Sequence, residues 1–166
     1  MSWVQDPIEP KLQFLGTEFG LYVSIDEGKN WTKWDKAHYP TVSTIDMLIH
    51  PRDHDLVIGT FGRAAFILDD IRPLRELASK GIETLDQALK IYPIADTYLS
   101  NYKTYAGTRF TGDAFYAAEN RAYGALVSFS VKEILKKDAE GSSAQADSVK
   151  VEIYDSANKK VRDLTI

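Results

Sequence analysis

The sequence predicts a mainly β chain built from short hairpins, in two successive parts joined by a brief helical stretch. Three observations carry that expectation. The segment FLGTEFGLYVSID, residues 14–26, is echoed by VIGTFGRAAFILD, residues 57–69. Both copies are dense in β-branched and aromatic residues and broken by glycines, the pattern of short strands separated by tight turns. Further along, Val127, Phe129 and Val131 alternate with Ser128, Ser130 and Lys132, and Val149, Val151 and Ile153 alternate with Lys150 and Glu152. A period of two gives each strand one apolar face.

Composition narrows the function classes. The 166 residues carry 20 Lys+Arg against 24 Asp+Glu, a formal charge of -4, with 44% hydrophobic residues and no cysteine. A chain of this length can bury roughly 70% of its extended surface, enough for one domain or two small ones. The mild acidic excess leaves no basic stripe for nucleic acid. No run of about 18 apolar residues is present to cross a membrane, and MSWVQDPIEP has acids and prolines where a signal peptide needs a basic and then an apolar stretch. Without cysteine, disulfides, zinc–thiolate sites and thiol nucleophiles are excluded, while the compartment stays open.

In the repeat, Gly16-Thr17 maps to Gly59-Thr60, Phe19-Gly20 to Phe61-Gly62, and Asp26 to Asp69. The offset is 43 residues at the first Gly, 42 at the second and 43 at the Asp, as a one-residue hairpin deletion and a later insertion would produce. A period of about 40 to 45 residues is the size of one four-stranded propeller blade. Residues 12–16 and 21–25 read as one hairpin around Gly20. Residues 44–49 read as a strand closed by His50-Pro51-Arg52-Asp53, and residues 56–60 and 64–68 as the next two strands. Only about one and a half blades are accounted for, and a blade needs neighbours to cover its faces. The missing blades are therefore the first expected partner, and open strand edges are expected to favour self-association.

Between the copies, SIDEGKNW at residues 24–31 meets the requirements of a tight structural turn. Asp26 can fold its carboxylate onto turn amides, Gly28 can take a left-handed backbone, Ser24 can add a hydroxyl bond, and Trp31 can pack on the hairpin. A Ca²⁺ loop would need alternating oxygen ligands and a terminal Glu, which are missing.

This turn resembles the Asp-box, or bacterial neuraminidase repeat, of sialidases, some endoglucanases and sortilin, with Asn30 where Ser or Thr is usual. In that family the box is a structural turn remote from the active site. STIDMLIHPRDHDLVIGTFGRAAFILDDIRPLREL, residues 43–77, is similar to the last blade of large bacterial sortilin-type propeller proteins often labelled glycosyl hydrolase, BNR repeat. There the Gly-Thr step is commonly followed by His-Gly-Arg, and here Phe61 takes the histidine's place before Gly62 and Arg63. The resemblance implies an exported protein, periplasmic or extracellular. It also implies that the propeller continues into an immunoglobulin-like sandwich, which residues 112–166 would begin.

The fold class expected is thus mainly β: incomplete propeller blades over residues 1–71, a helical and extended connector over 72–111, and a partial immunoglobulin-like sandwich over 112–166. In the connector, Pro73 and the Leu74/Leu77 spacing predict a short helix ended by Gly81. Thr84 with Gln87 reads as a capping box for a second turn of helix through Leu89, and Lys90 to Leu99 as an extended return. The polar run KKDAEGSSAQADS, residues 136–148, reads as a solvated loop, and residues 155–158 as a turn before a last strand at 161–166.

Chemistry is thinner than architecture. His50, Arg52, Asp53, His54 and Asp55 form the densest polar cluster, with His50, Arg52 and Arg63 able to face a ligand. The cluster spans a proline turn, so its two histidines do not share a helical face as in an H-E-x-x-H zinc site, and no metal or other cofactor is implied. A glycosidase needs two carboxyls about 5 to 5.5 Å apart for retention or about 6.5 to 9.5 Å for inversion; Asp46, Asp69 and Asp70 are the candidates. Asp69 doubles as the repeat's turn former, and Asp46 as the start of a buried strand. A sialidase-like site would need several arginines and a tyrosine nucleophile, a set that Arg63 alone does not make. Tyr98, Tyr102, Tyr105, Phe110, Phe115, Tyr116 and Tyr123 could stack on sugars or glue domains together, and packing is the commoner use of large aromatics. The function expected is a non-catalytic scaffold that binds a glycan or a protein. The alternative is part of a glycoside hydrolase whose active site lies mostly on missing blades.

Overall fold

The computed structural model describes residues 1–97, 124–132 and 149–165. The aromatic series from Tyr98 to Tyr123 and the polar run 136–148 lie outside the described residues. Among the described residues the chain is mainly β, with several small antiparallel sheets, none of them closed. It divides into two compact units, Met1–Glu133 and Ile134–Ile166.

The first sheet is a four-stranded antiparallel meander in the order β1 (Ser2–Gln5), β2 (Gln13–Thr17), β3 (Gly20–Ser24) and β4 (Thr32–Lys33). The second is a three-stranded meander of β5 (Thr44–Ile49), β6 (Leu56–Thr60) and β7 (Ala65–Leu68). Their registers align position by position. Val4, Phe14 and Val23 lie side by side across the first sheet, as Leu48, Val57 and Ile67 do across the second. One residue along, Trp3, Leu15 and Tyr22 form a row on the first sheet's opposite face, matched by Met47, Ile58 and Phe66 on the second.

The core lies between the sheets. Phe14 and Leu21 from one face of the first sheet meet Met47, Ile49, Leu56 and Ile58 from the second, and Ile71, Ala78, Tyr39 and Val42 close the margins. Tyr39 ties the layer together by meeting the Phe66 ring edge-on at 5.1 Å and sharing a 2.7 Å hydrogen bond with the buried Thr44 hydroxyl. Gly16 is the point of closest approach. A Cβ there would fall 2.7 Å from the Thr44 Cβ, so only glycine lets β5 lie against β2.

The repeated Gly-Thr step has a local job that is the same in both sheets. Thr17 donates its hydroxyl to the Gly20 carbonyl at 3.1 Å, and Thr60 donates to the Ala64 carbonyl at 2.6 Å, each closing its hairpin. The register corrects the alignment read from sequence. Thr17 faces Gly20 across a two-residue loop, whereas Thr60 reaches Ala64 across a loop one residue longer. The second hairpin therefore carries an insertion, not a deletion, and Ala64, at φ 58°, occupies the left-handed position of Gly20, at φ 121°. Counted through the strands, the structural counterpart of Asp26 is Asp70, not Asp69.

Helix α1 (Arg72–Lys80) starts with proline in its first turn and ends at Gly81, as expected from sequence. Thr84 differs. It sits inside a 3-10 turn, Ile82–Asp86, and gives its hydroxyl back to the Gly81 carbonyl instead of capping a helix start. The extended return is short: β8 (Leu89–Ile91) pairs antiparallel with β9 (Phe129–Val131), beyond the segment of residues 98–123. Val127 precedes β9 without joining it.

The second unit contributes one described hairpin, β10 (Lys150–Tyr154) and β11 (Lys160–Thr165). Asp155 builds the turn between them by accepting the Ala157 and Lys159 amides, both at 2.9 Å, and Asn158 supplies the left-handed residue at φ 60°.

Candidate functional site

Two polar constellations lie at element ends: the turn after β3 and the junction between the β5–β6 turn and α1. The turn is a closed hydrogen-bond circuit. The buried Ser24 hydroxyl donates to Asp26 Oδ1 at 2.8 Å and accepts the Gly28 amide at 2.9 Å. Asp26 in turn accepts the Asn30 backbone amide at 2.9 Å and the Asn30 side-chain amide at 2.7 Å. The Asn30 backbone bond, then its side chain and the Ser24 hydroxyl, hold the Asp26 carboxyl down at about 2. Gly28 takes φ 80°, with Trp31 and the Gln13 amide against it. Asn30 thus supplies a side-chain donor where Ser or Thr is usual in the resembling motif. Every one of these groups serves the turn itself.

The junction is where buried charge collects. Asp6, 1% exposed, uses Oδ1 to accept the amides of Ile8 and Glu9 and Oδ2 to accept Arg75 Nε at 2.8 Å. Arg75, itself buried on α1, places Nη1 2.9 Å from His54 Nδ1. His54 holds a left-handed backbone at φ 60° and accepts the Ile71 amide through its carbonyl. Its desolvation, followed by the charges of Arg75 and Arg72, pushes the imidazole below its ordinary value, so it is neutral near pH 7 and accepts from Arg75. Asp70 is buried too, pairs with Arg72 and takes the Arg72 amide at 3.2 Å. The cluster fastens the N-terminal strand and the β5–β6 turn to the helix.

The residues singled out from sequence are distributed, not gathered. His50 and Arg52 sit in the β5–β6 turn. There His50 Nδ1 accepts the Asp53 amide at 3.2 Å, and Arg52 grips the Asp53 carboxylate through Nε at 2.9 Å and Nη2 at 2.8 Å. Arg63 is exposed in the β6–β7 loop, at the opposite end of the sheet. Asp46 is exposed at the β5 bulge and accepts the Met47 amide, and the strand begins before it, at the buried Thr44. It stands level with Ala65 across Gly59. Asp69 lies four residues beyond Ala65, roughly 13 Å along extended backbone, and two strand spacings of about 4.8 Å separate β5 from β7. Asp46 and the Asp69–Asp70 pair are therefore too far apart at the backbone for either glycosidase geometry.

A cleft of about 70 Å³ beside Trp34, His38, Tyr39 and Phe66 is several-fold smaller than ordinary ligand pockets of roughly 300 to 1,000 Å³. Among the described residues no group of three or more His, Asp or Glu could hold a metal ion, and no helix is long and apolar enough to cross a membrane.

Sequence reasoning missed Asp6 and Arg75. The Asp6-Pro7 turn with amide-accepting potential was readable; its partner 69 residues away was not. No protein-family model matches the chain, and no curated protein or solved structure matches it.

Proposed function

We propose that this chain is a non-catalytic piece of a larger Asp-box propeller protein, a scaffold that presents surface to a glycan or protein ligand. The observation that carries the reading is one architectural unit used twice. Two antiparallel meanders share hairpins closed by the same threonine bond and rows in the same register, and the first has the four strands of a single blade. The Ser24–Asp26–Gly28 circuit adds support, since all its polar capacity is spent within the turn. The β10–β11 hairpin, largely exposed on both strands, fits a sandwich that needs further strands, because an isolated hairpin is marginal in water. The other blades of the parent protein are the obligatory partners on this reading.

The separation of Asp46 from Asp69 and Asp70 argues against a carboxyl pair formed by these residues within this chain. The test is turnover of aryl glycosides by the purified chain and by Asp46→Asn and Asp70→Asn. The scaffold reading expects no hydrolysis above the buffer blank, with binding to one class of immobilised glycan or protein. Hydrolysis that either substitution abolishes in a folded protein would establish the enzyme instead.

A further inference from the structure

We propose that a second copy of this chain docks head to tail on the outer face of the β5–β6–β7 sheet. Inside the chain, the Val4–Phe14–Val23 row of the first sheet is covered by the second sheet, which turns its Met47–Ile58–Phe66 row inward. Each sheet therefore has an accepting face and an inserting face. The second sheet's own accepting row, Leu48–Val57–Ile67, is wholly apolar yet open, with Leu48 and Ile67 each 61% exposed. The first sheet's inserting row, Trp3–Leu15–Tyr22, is open as well, with Trp3 55% exposed.

Each open row is the register equivalent of a row already used in the interface between the sheets. Seating the Trp3–Leu15–Tyr22 row of one copy on the Leu48–Val57–Ile67 row of the next repeats that interface, and nothing in the operation closes it after two copies. The pairing also has a specific contact. Met47 Cε lies 3.5 Å from where a Gly16 Cβ would be, and the equivalents of these residues are Trp3 and Gly59. A Cβ on Gly59 would have only the Asp46 carbonyl, at 3.7 Å, as neighbour, which leaves the hollow an indole needs.

Sedimentation velocity over a dilution series tests this. The wild-type chain should grow with concentration past a dimer. Leu48→Lys/Ile67→Lys removes the accepting face and Trp3→Ser/Tyr22→Ser the inserting face. Each should be monomeric, with association weakened at least about thirtyfold. Mixed together, the two variants retain one intact pair of faces and should form a 1:1 dimer that grows no further. A wild type that stays monomeric at every concentration overturns the inference, as would happen if another part of the chain covered the face. Association that survives in both variants overturns it in favour of strand-edge pairing, and so does a mixture that stays monomeric. Circular dichroism checks folding, with Leu48→Ser/Ile67→Thr as the milder variant if the lysines unfold the chain. On the scaffold reading a neighbouring blade would take this face, and in the isolated chain a second copy takes its place; failure to associate therefore leaves the scaffold reading standing, and that reading is tested by hydrolysis.

Discussion

The two sheets of the first unit start from the same repeated hairpin and end in opposite environments. In the first sheet the row through Phe14 is covered, Phe14 is fully buried, and Gly16 is held to glycine by Thr44. In the second sheet the matching row through Val57 faces outward, and Gly59 meets nothing closer than ordinary contact. Similar local sequence thus yields closely related hairpins in the two sheets, while the neighbour decides whether a residue is constrained. The glycine is a structural requirement in one copy and an unused allowance in the other.

The strongest way to break this comparison is to unfasten the first sheet from the helix that follows the second. Arg75→Ala leaves Asp6 buried and unpaired, and is expected to cost about 3 to 5 kcal/mol in urea unfolding. A loss under about 1 kcal/mol would mean that the pair does not bind the two sheets' ends together.

A smaller effect is expected in the turn after β3. Ser24→Ala strips the buried hydroxyl from Gly28 and Asp26 and should cost about 1 to 2 kcal/mol. Asp26 adds a pH signature. Its folded value of about 2 lies below its ordinary 3.8, so the turn's stabilisation is complete above about pH 4 and fades as pH falls toward 2. Ser24→Ala should narrow that window, measured by chemical shift titration of Asp26.

His54 sharpens the junction's role at milder pH. Its folded value lies below 6.5, so the unfolded chain binds the proton first and stability falls as pH drops below about 6.5. His54→Asn keeps a residue tolerant of the left-handed backbone and removes the titration. The urea midpoint should then be flatter between pH 5 and 7; an unchanged slope would assign the acid sensitivity elsewhere.

Local chemistry was legible where it is self-contained. β5 and β6 were found to the residue, because each consists mostly of β-branched or long apolar side chains and a proline turn lies between them. Helix α1 carried its own proline start and glycine stop. β1 and β4 were not legible: four residues of mixed character and two exposed residues become strands only by pairing with Phe14 and Tyr22. The β8–β9 ladder pairs Lys90 with Ser130, and the Tyr92 hydroxyl meets the Ser130 hydroxyl 38 residues on, both beyond the reach of periodicity. The same holds for Arg75. The Leu74/Leu77 spacing signals the helix, and Leu74 packs against the core, but the buried residues are Arg75 and Ala78, with Arg75 drawn in by Asp6. In the candidate site, the Asp26 circuit was readable from its spacing. The wide separation of Asp46 from Asp69 was not, since it depends on register.

The central claim is that, among the described residues, the sheets are equivalent units of which only the first has its accepting face filled. Paired urea denaturation of Gly16→Ala and Gly59→Ala at high dilution tests it most directly. The account predicts a loss of about 1 to 3 kcal/mol for Gly16→Ala, from the clash with Thr44, and less than about 0.5 kcal/mol for Gly59→Ala. Equal losses at the two positions would contradict it.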